Sequence, residues 1–244
     1  MPFDYAVPSV PDGSRIDYSD GLLAPACSGI NIRRANREGL MESRQSEEPR
    51  AARFARYIEA RRFDPPRPLL IKAVALADQK EHALDGGAGA LNATKYLLSA
   101  GFAQVTALDA APRAREVARE LADDRVTFVL SRFEAFDFPA NHYDLVNAEF
   151  SLPFLAPSEF APTFARLLHS VKPGGIFTGQ LFGPNDSWNV ENSGMSFHTR
   201  AETEAFFRDF EIVHLEEEDH PGTTKLGEPK HWHIFHIITR RAAS

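Results

Sequence analysis

The chain predicts an α/β fold, a doubly wound seven-stranded sheet that is mostly parallel with an antiparallel pair at its C-terminal edge. Three observations carry this expectation. From residue 82 onward, short apolar runs alternate with stretches of helical spacing, the pattern of β-α-β units joined by right-handed crossovers. Several runs lack polar alternation, as strands covered on both faces do. The last two runs are separated only by a short polar loop, which suits an antiparallel pair.

The elements follow in chain order. Residues 1–45, with Pro2, Pro8, Pro11 and Pro25 and little periodicity, read as an irregular arm. From Ser46 the spacing of Ala51, Phe54, Ala55 and Ile58 predicts a helix, with Glu47 and Glu48 early, Arg61 and Arg62 late, and Pro65, Pro66 and Pro68 as its stop. A second amphipathic helix runs from Leu69 to Ala77. Strands are predicted at 82–85, 105–109, 126–130, 143–149 and 174–182, with helices at Asn92–Ala100, Pro112–Ala122 and Ser158–Ser170 between them. Helix Arg200–Phe207 then leads to strands at 210–218 and 231–241. The division expected is an N-terminal arm with helices over 1–80, placed by chain order to lid the crevice, and a core over 81–244.

Composition limits the function. The 244 residues are 43% hydrophobic and 25% charged, that of an ordinary globular chain. A net charge of −7 gives no long-range attraction to nucleic acid or to anionic lipid, so neither is expected as a partner. The acidic excess falls on residues 81–244. Cys27 is the only cysteine, which rules out an intramolecular disulfide and a cysteine-based zinc site. There is no 18-residue apolar stretch and no basic n-region before an apolar segment, so a cytoplasmic location is expected. The expected assembly is a monomer or homodimer.

In an open parallel sheet, ligands bind outside the carboxyl ends of the strands, where the strand order reverses. The first strand ends in Asp85-Gly86-Gly87-Ala88-Gly89-Ala90 and opens into a helix. Glycines let backbone approach a ligand, and a helix start offers unsatisfied N–H groups. Asp109 ends the second strand 20 residues after Gly89, the distance at which a carboxylate accepts from a ribose diol. Together they predict a nucleoside site. The competing structural reading has the glycines serving helix packing and Asp109 capping the helix at Pro112. A dinucleotide fingerprint would need a third glycine, and no Tyr-x-x-x-Lys pair is present for dehydrogenase chemistry.

The ordered series ALDGGAGA (83–90), LDAAP (108–112), YDLVNAEF (143–150) and VKPGG (171–175) resembles the class I S-adenosylmethionine-dependent methyltransferases over about residues 65–241. RPLL (67–70), FDFP (136–139) and HWHIFH (231–236) are similar to the branch related to tellurite-resistance methyltransferases. The resemblance implies S-adenosylmethionine as cofactor, with Asp85, Gly87 and Gly89 around its methionine portion and Asp85 partly holding loop amides. It implies Asp109 on the ribose, and Arg132, Phe133 and Glu134 in the adenine segment. Arg132 replaces the usual acid there; a guanidinium has donors only and cannot accept from the adenine amino group, which leaves Phe133 or Glu134 for the base. Leu91 stands where many members have glycine. Glu149 takes the position closing over the cofactor near its transferable methyl, and Arg67 is a candidate for the cofactor carboxylate.

The resemblance implies methyl transfer to a small-molecule acceptor. The alternatives are a nicotinamide-dependent oxidoreductase, or a non-catalytic cofactor-binding member, motivated by Leu91 and Arg132. No base-methylation motif follows the fourth strand. The sequence names no single catalytic base; candidates are Glu149, His198, His231 and His233. The His-x-His pair lacks a cysteine or marked third ligand, so no metal is expected. Phe150, Phe154, Phe160 and Phe164 read as core more readily than as pocket lining. Arg53, Arg56, Arg61 and Arg62 read as a solvated helix face rather than a phosphate-binding stripe. Residues 183–200, with Trp188, form the other expected wall.

Overall fold

Each apolar run of the sequence is a strand. They are β1 (His82–Gly86), β2 (Gln104–Asp109), β3 (Val126–Leu130), β4 (Tyr143–Ala148), β5 (Val171–Phe182), β6 (Phe210–Thr223) and β7 (Pro229–Arg241). The computed structural model describes residues 50–243; the expectations for the arm at 1–45, for the helix start at 46–49 and for Cys27 lie outside them. The helices are α1 (Arg50–Ala60), α2 (Pro68–Ala75), α3 (Asn92–Ser99), α4 (Pro112–Leu121), α5 (Pro157–Ser170) and α6 (Arg200–Ala205). Proline opens α2, α4 and α5, where its missing N–H costs nothing. A Thr199/Glu202 capping box opens α6.

The seven strands form one sheet in the order β3-β2-β1-β4-β5-β7-β6. β1 to β5 pair in parallel, and β7 runs antiparallel to both β5 and β6. The chain returns to the sheet centre between β1 and β4, so the crevice lies above their carboxyl ends. Alternation along each strand separates two cores. Leu84, Val146, Phe177 and Ile237 pack with Phe160, Phe164 and Leu167 of α5. Ala83, Leu145, Ile176 and Ile238 pack with Leu69 and Leu70 of α2 and Tyr96 and Leu97 of α3. Burying a side chain of this size contributes about 1.5–3 kcal/mol, so these two layers fix the register.

Several boundaries move from the expected ones, β6 running on to Thr223 instead of 218 and β7 starting at Pro229 instead of 231. β5 begins at Val171, which pairs with Tyr143 ahead of a register shift. α6 ends at Ala205, because Phe206 and Phe207 turn inward onto Phe164.

The arginines of α1 depart from both readings of the sequence. Arg53 pairs with Glu228, Arg61 with Asp64 and Arg62 with Glu120, while Arg113 of α4 reaches Glu59. They dock the helix instead of forming a free face. Ile58 is buried beside Leu91, and Asn92 Nδ2 donates to the Arg61 carbonyl at 2.6 Å. The first helix therefore lies against the start of α3, next to the glycine loop.

Candidate functional site

The turn after β1 uses its own amides. Gly87 N and Ala88 N both donate to the Leu108 carbonyl at 2.8 and 3.0 Å, and Gly89 N donates to Asp109 Oδ2 at 2.8 Å. Gly87 and Gly89 have φ of +76° and +49°, which L side chains rarely adopt. A Cβ at Gly87 would meet Ser151 at 2.3 Å, and one at Gly86 would meet the Phe133 ring at 2.8 Å. Leu91, where glycine was the expected choice, also has positive φ (+59°) and is fully buried. Left-handed backbone costs a non-glycine residue about 1–2 kcal/mol; burial of the side chain against Ile58, Ala107 and Ala114 offsets it.

Asp85 is buried, and its partners differ from those the resemblance implied. Its carboxylate accepts from the Thr94 hydroxyl at 2.6 Å, from Asn147 Nδ2 at 2.9 Å, and from the Thr94 backbone amide in the first turn of α3. Burial raises its pKa and these donors pull it back. A protein carboxylate thus occupies the anion position at the start of α3.

Asp109 serves both readings of the sequence. Its Oδ1 accepts from Ala111 N, the N-cap of α4, at 2.7 Å, while Oδ2 holds Gly89. Each oxygen keeps lone-pair capacity for a further donor. Burial raises its pKa against those amides. After β3, Arg132 is paired with Glu134, so neither of these two side chains is free of a charged partner. Phe133 lays its ring over Gly86 and stacks on Phe138.

At the end of β4, Glu149 is a third perturbed carboxylate of the crevice. Its Oε1 is enclosed with no hydrogen-bond partner among the described residues. Burial pushes its pKa up to about 7, against the opposing pull of Arg67 and a hydrogen bond from Gln180, with Asp85 adding to the rise. Phe150 follows with φ of +51° and donates its amide to Gln180 Oε1 at 3.0 Å. A bulky side chain at positive φ is a backbone outlier of the kind that collects at functional sites. The Arg67 guanidinium lies 4.2 Å from the Phe150 ring centroid and donates to the Tyr57 hydroxyl at 3.4 Å. Burial lowers the Arg67 pKa.

The other three base candidates stand on the α5 side of the sheet, away from Glu149. His231 is paired with Asp219 at 2.6 Å, and His233 with Glu217 at 3.0 Å and against Phe235. His198 packs on Phe160 and Phe206, where burial lowers its pKa. Alternation along β7 places Trp232 and His236 on the other face, against Phe150. The four phenylalanines divide in two. Phe160 and Phe164 are core, whereas Phe150 and Phe154 are half-buried at the crevice.

Sequence reasoning missed Gln180, Lys230 and Asp186. The Lys230 and Asp186 side chains are both 0% exposed and paired with each other. The ammonium lies 3.8 Å from the Trp188 centroid, 4.4 Å from Trp232 and 5.2 Å from Phe182. Burial lowers the Lys230 pKa to about 8, with Asp186 opposing. The one available signal was a lysine directly before an apolar strand that also carries a tryptophan. Among the described residues no group of three or more His, Cys, Asp or Glu is set to hold a metal.

These groups fit a cationic nucleoside cofactor. Three carboxylates, Asp85, Asp109 and Glu149, end adjacent central strands, and the enclosed Glu149 oxygen lacks a donor. Residues 83–175 match the family described as a methyltransferase domain. Over 97 residues the chain is 33% identical to the ubiquinone/menaquinone biosynthesis C-methyltransferase of Shewanella halifaxensis, which covers 38% of each chain. The chain thus spans under two fifths of that curated relative. Among solved structures, it is similar to the 1,6-didemethyltoxoflavin-N1-methyltransferase of Burkholderia thailandensis with bound S-adenosylhomocysteine (TM-score 0.54, 20% identity, 79% of this chain and 87% of that one). It is likewise similar to TehB of Haemophilus influenzae (TM-score 0.59, 16% identity, 70% and 61%). The fold is that of these methyltransferases.

Proposed function

We propose, from the methyltransferase domain that residues 83–175 constitute, that this chain transfers a methyl group from S-adenosylmethionine to a small-molecule acceptor. The observation that carries this reading is the self-satisfied anion position at α3. Dinucleotide sites place a pyrophosphate at that helix start and present glycine-loop amides to it. Here Asp85 fills the helix start, and the amides of Gly87, Ala88 and Gly89 are spent on Leu108 and Asp109. A second phosphate-bearing group would meet a buried carboxylate, whereas a cationic sulfonium and ammonium would not. This weighs against the nicotinamide alternative.

In this reading Asp109 takes the ribose hydroxyls, Phe133 lies against the base, and Asp85 and Glu149 face the positive charge. Arg67 donates to Tyr57 and lies over Phe150, and in this reading it holds positive charge beside Glu149. S-adenosylmethionine supplies, when bound, a methyl group already activated by positive sulfur, so the protein's share is positioning and exclusion of water. Glu149, poised near neutrality, accepts the proton of a protonated acceptor. Residues 50–80 roof the glycine loop, and the 183–199 segment forms the opposite wall. The departures at Leu91 and Arg132 are absorbed structurally, by a buried side chain and by the pair with Glu134.

The test is thermal unfolding with S-adenosylhomocysteine against NADH. At about 100 times its dissociation constant, a ligand of the native state adds about 2.7 kcal/mol. Stabilisation by S-adenosylhomocysteine, weakened at least about tenfold in affinity by Asp109→Ala through loss of its charge-assisted hydrogen bonds, is expected; stabilisation by NADH alone would overturn the reading.

A further inference from the structure

The wall of the crevice beside Glu149 is aromatic and carries a cation behind it. Phe150 meets Trp232 at 6.3 Å between centroids, and Trp232 meets Trp188 at 5.8 Å. All three rings are half-buried and come from three separate segments. Behind them lie Phe182 and the Lys230 ammonium, in contact with both indoles. Asp186 is the hub of this arrangement. Besides pairing with Lys230 it accepts from Trp188 N at 2.9 Å and from His233 N at 3.4 Å. The ion pair thereby ties the segment carrying Trp188 to β7, which carries Trp232.

Burying two charges is expensive, and apolar residues of similar volume often do as well for stability. A cation on one face of an indole is held by the ring's electron density. It draws that density toward itself, leaving the opposite face a better partner for an electron-rich ring. Arg67 does the same to Phe150, and Arg53, 5.8 Å from the Trp188 centroid, is a second cation at that ring.

We propose that Lys230 and Asp186 are positioning residues of the acceptor site, holding Trp188 and Trp232 as the wall against which a planar, electron-rich conjugated ring bearing an ionisable hydroxyl stacks beside Glu149. This rests on the methyl-transfer reading and names its acceptor class. Neither charge touches the acceptor; both are enclosed. The hydroxyl is the group that Glu149 deprotonates, and the resulting anion is the species that rings backed by cations favour.

The experiment uses the whole chain and two probes of equal skeleton, 2-naphthol and its saturated counterpart decahydro-2-naphthol, titrated by calorimetry alongside S-adenosylhomocysteine. Trp188 and Trp232 are the only tryptophans, so intrinsic emission reports on the wall directly. The wild type is expected to prefer 2-naphthol by about tenfold or more, a factor within reach of stacking and cation–π contacts. Lys230→Met is expected to lose most of that preference and shift the emission, with S-adenosylhomocysteine affinity kept within about twofold. Lys230→Arg, which keeps the cation, should retain it. Because Lys230→Met strands Asp186, the double variant Lys230→Met/Asp186→Leu removes both charges and is measured beside it, with its melting curve. Equal binding of both probes by the wild type, no saturable 2-naphthol binding, or a folded double variant with wild-type preference would each overturn the proposal. Failure of S-adenosylhomocysteine to bind a chain that still prefers 2-naphthol would instead sink the methyl-transfer reading.

Discussion

The ends of β1 to β3 and the ends of β4, β5 and β7 face one another across the switch point, and they handle charge by opposite means. On the first side, carboxylates are met by neutral donors: Asp109 by the amides of Gly89 and Ala111, Asp85 by the Thr94 hydroxyl and the Asn147 side-chain amide. On the second, charges meet charges and rings from distant sequence. Lys230 finds Asp186, Trp188 and Trp232, and Glu149 finds Arg67 and Gln180. Hydrogen bonding to neutral groups gives a rigid cradle. Long-range pairing gives a wall that can differ between chains without disturbing the cradle.

The largest effect that sharpens this contrast is expected at Lys230. Lys230→Met leaves Asp186 charged and buried, which costs about 3–5 kcal/mol, whereas Lys230→Met/Asp186→Leu should fall within about 1 kcal/mol of wild type or above it. Denaturant midpoints decide; equal losses in both variants would mean that the wall depends on shape rather than charge.

Glu149 comes next. Its folded pKa of about 7 lies above the ordinary 4.5, so between those values the native state holds a proton that the unfolded chain has released. Stability contributed at this site therefore falls as pH rises from about 4.5 to 7. Glu149→Gln is expected to melt like wild type near pH 4 and to gain up to about 3 kcal/mol at pH 8. A gain that is the same at both pH values breaks the argument that burial keeps a proton on Glu149.

The smallest effect belongs to the cradle. Leu91→Gly relieves the left-handed backbone but forfeits a buried leucine, for a net loss of about 1 kcal/mol. Chemical unfolding showing a gain in stability would mean that packing against Ile58 contributes little.

The same contrast explains what the sequence made legible. All seven strands and the glycine turn were readable because each depends on contiguous residues: apolar runs of strand length, Gly87 and Gly89 at positive φ, an acid ending β2. The helix at Leu91 was readable only as a departure, since its left-handed cap is stabilised by Ile58 from 33 positions earlier. Lys230 was not legible, because its partner Asp186 precedes it by 44 residues and both rings that enclose it must first be placed. His231 and His233 were legible as one face of a strand, but not as the face turned from Glu149, since that depends on how β7 inserts beside β5. Arg53 and Arg62 gave no hint of their acids, Glu228 in the loop before β7 and Glu120 on α4, for the same reason.

That insertion has a bearing on how the chain is made. β7 is the last of these seven strands in chain order but sits between β5 and β6, and domains fold largely as their residues emerge. Until it arrives, the edge of β5 is bare and β6 is the nearest strand able to occupy it. Such a misplacement would bring Glu216, Glu217, Glu218 and Asp219 into a central, doubly covered position that β7 fills with Ile234, Phe235, Ile237 and Ile238. The acidic run thus acts during synthesis as a guard, holding the central place open for the strand that comes after it.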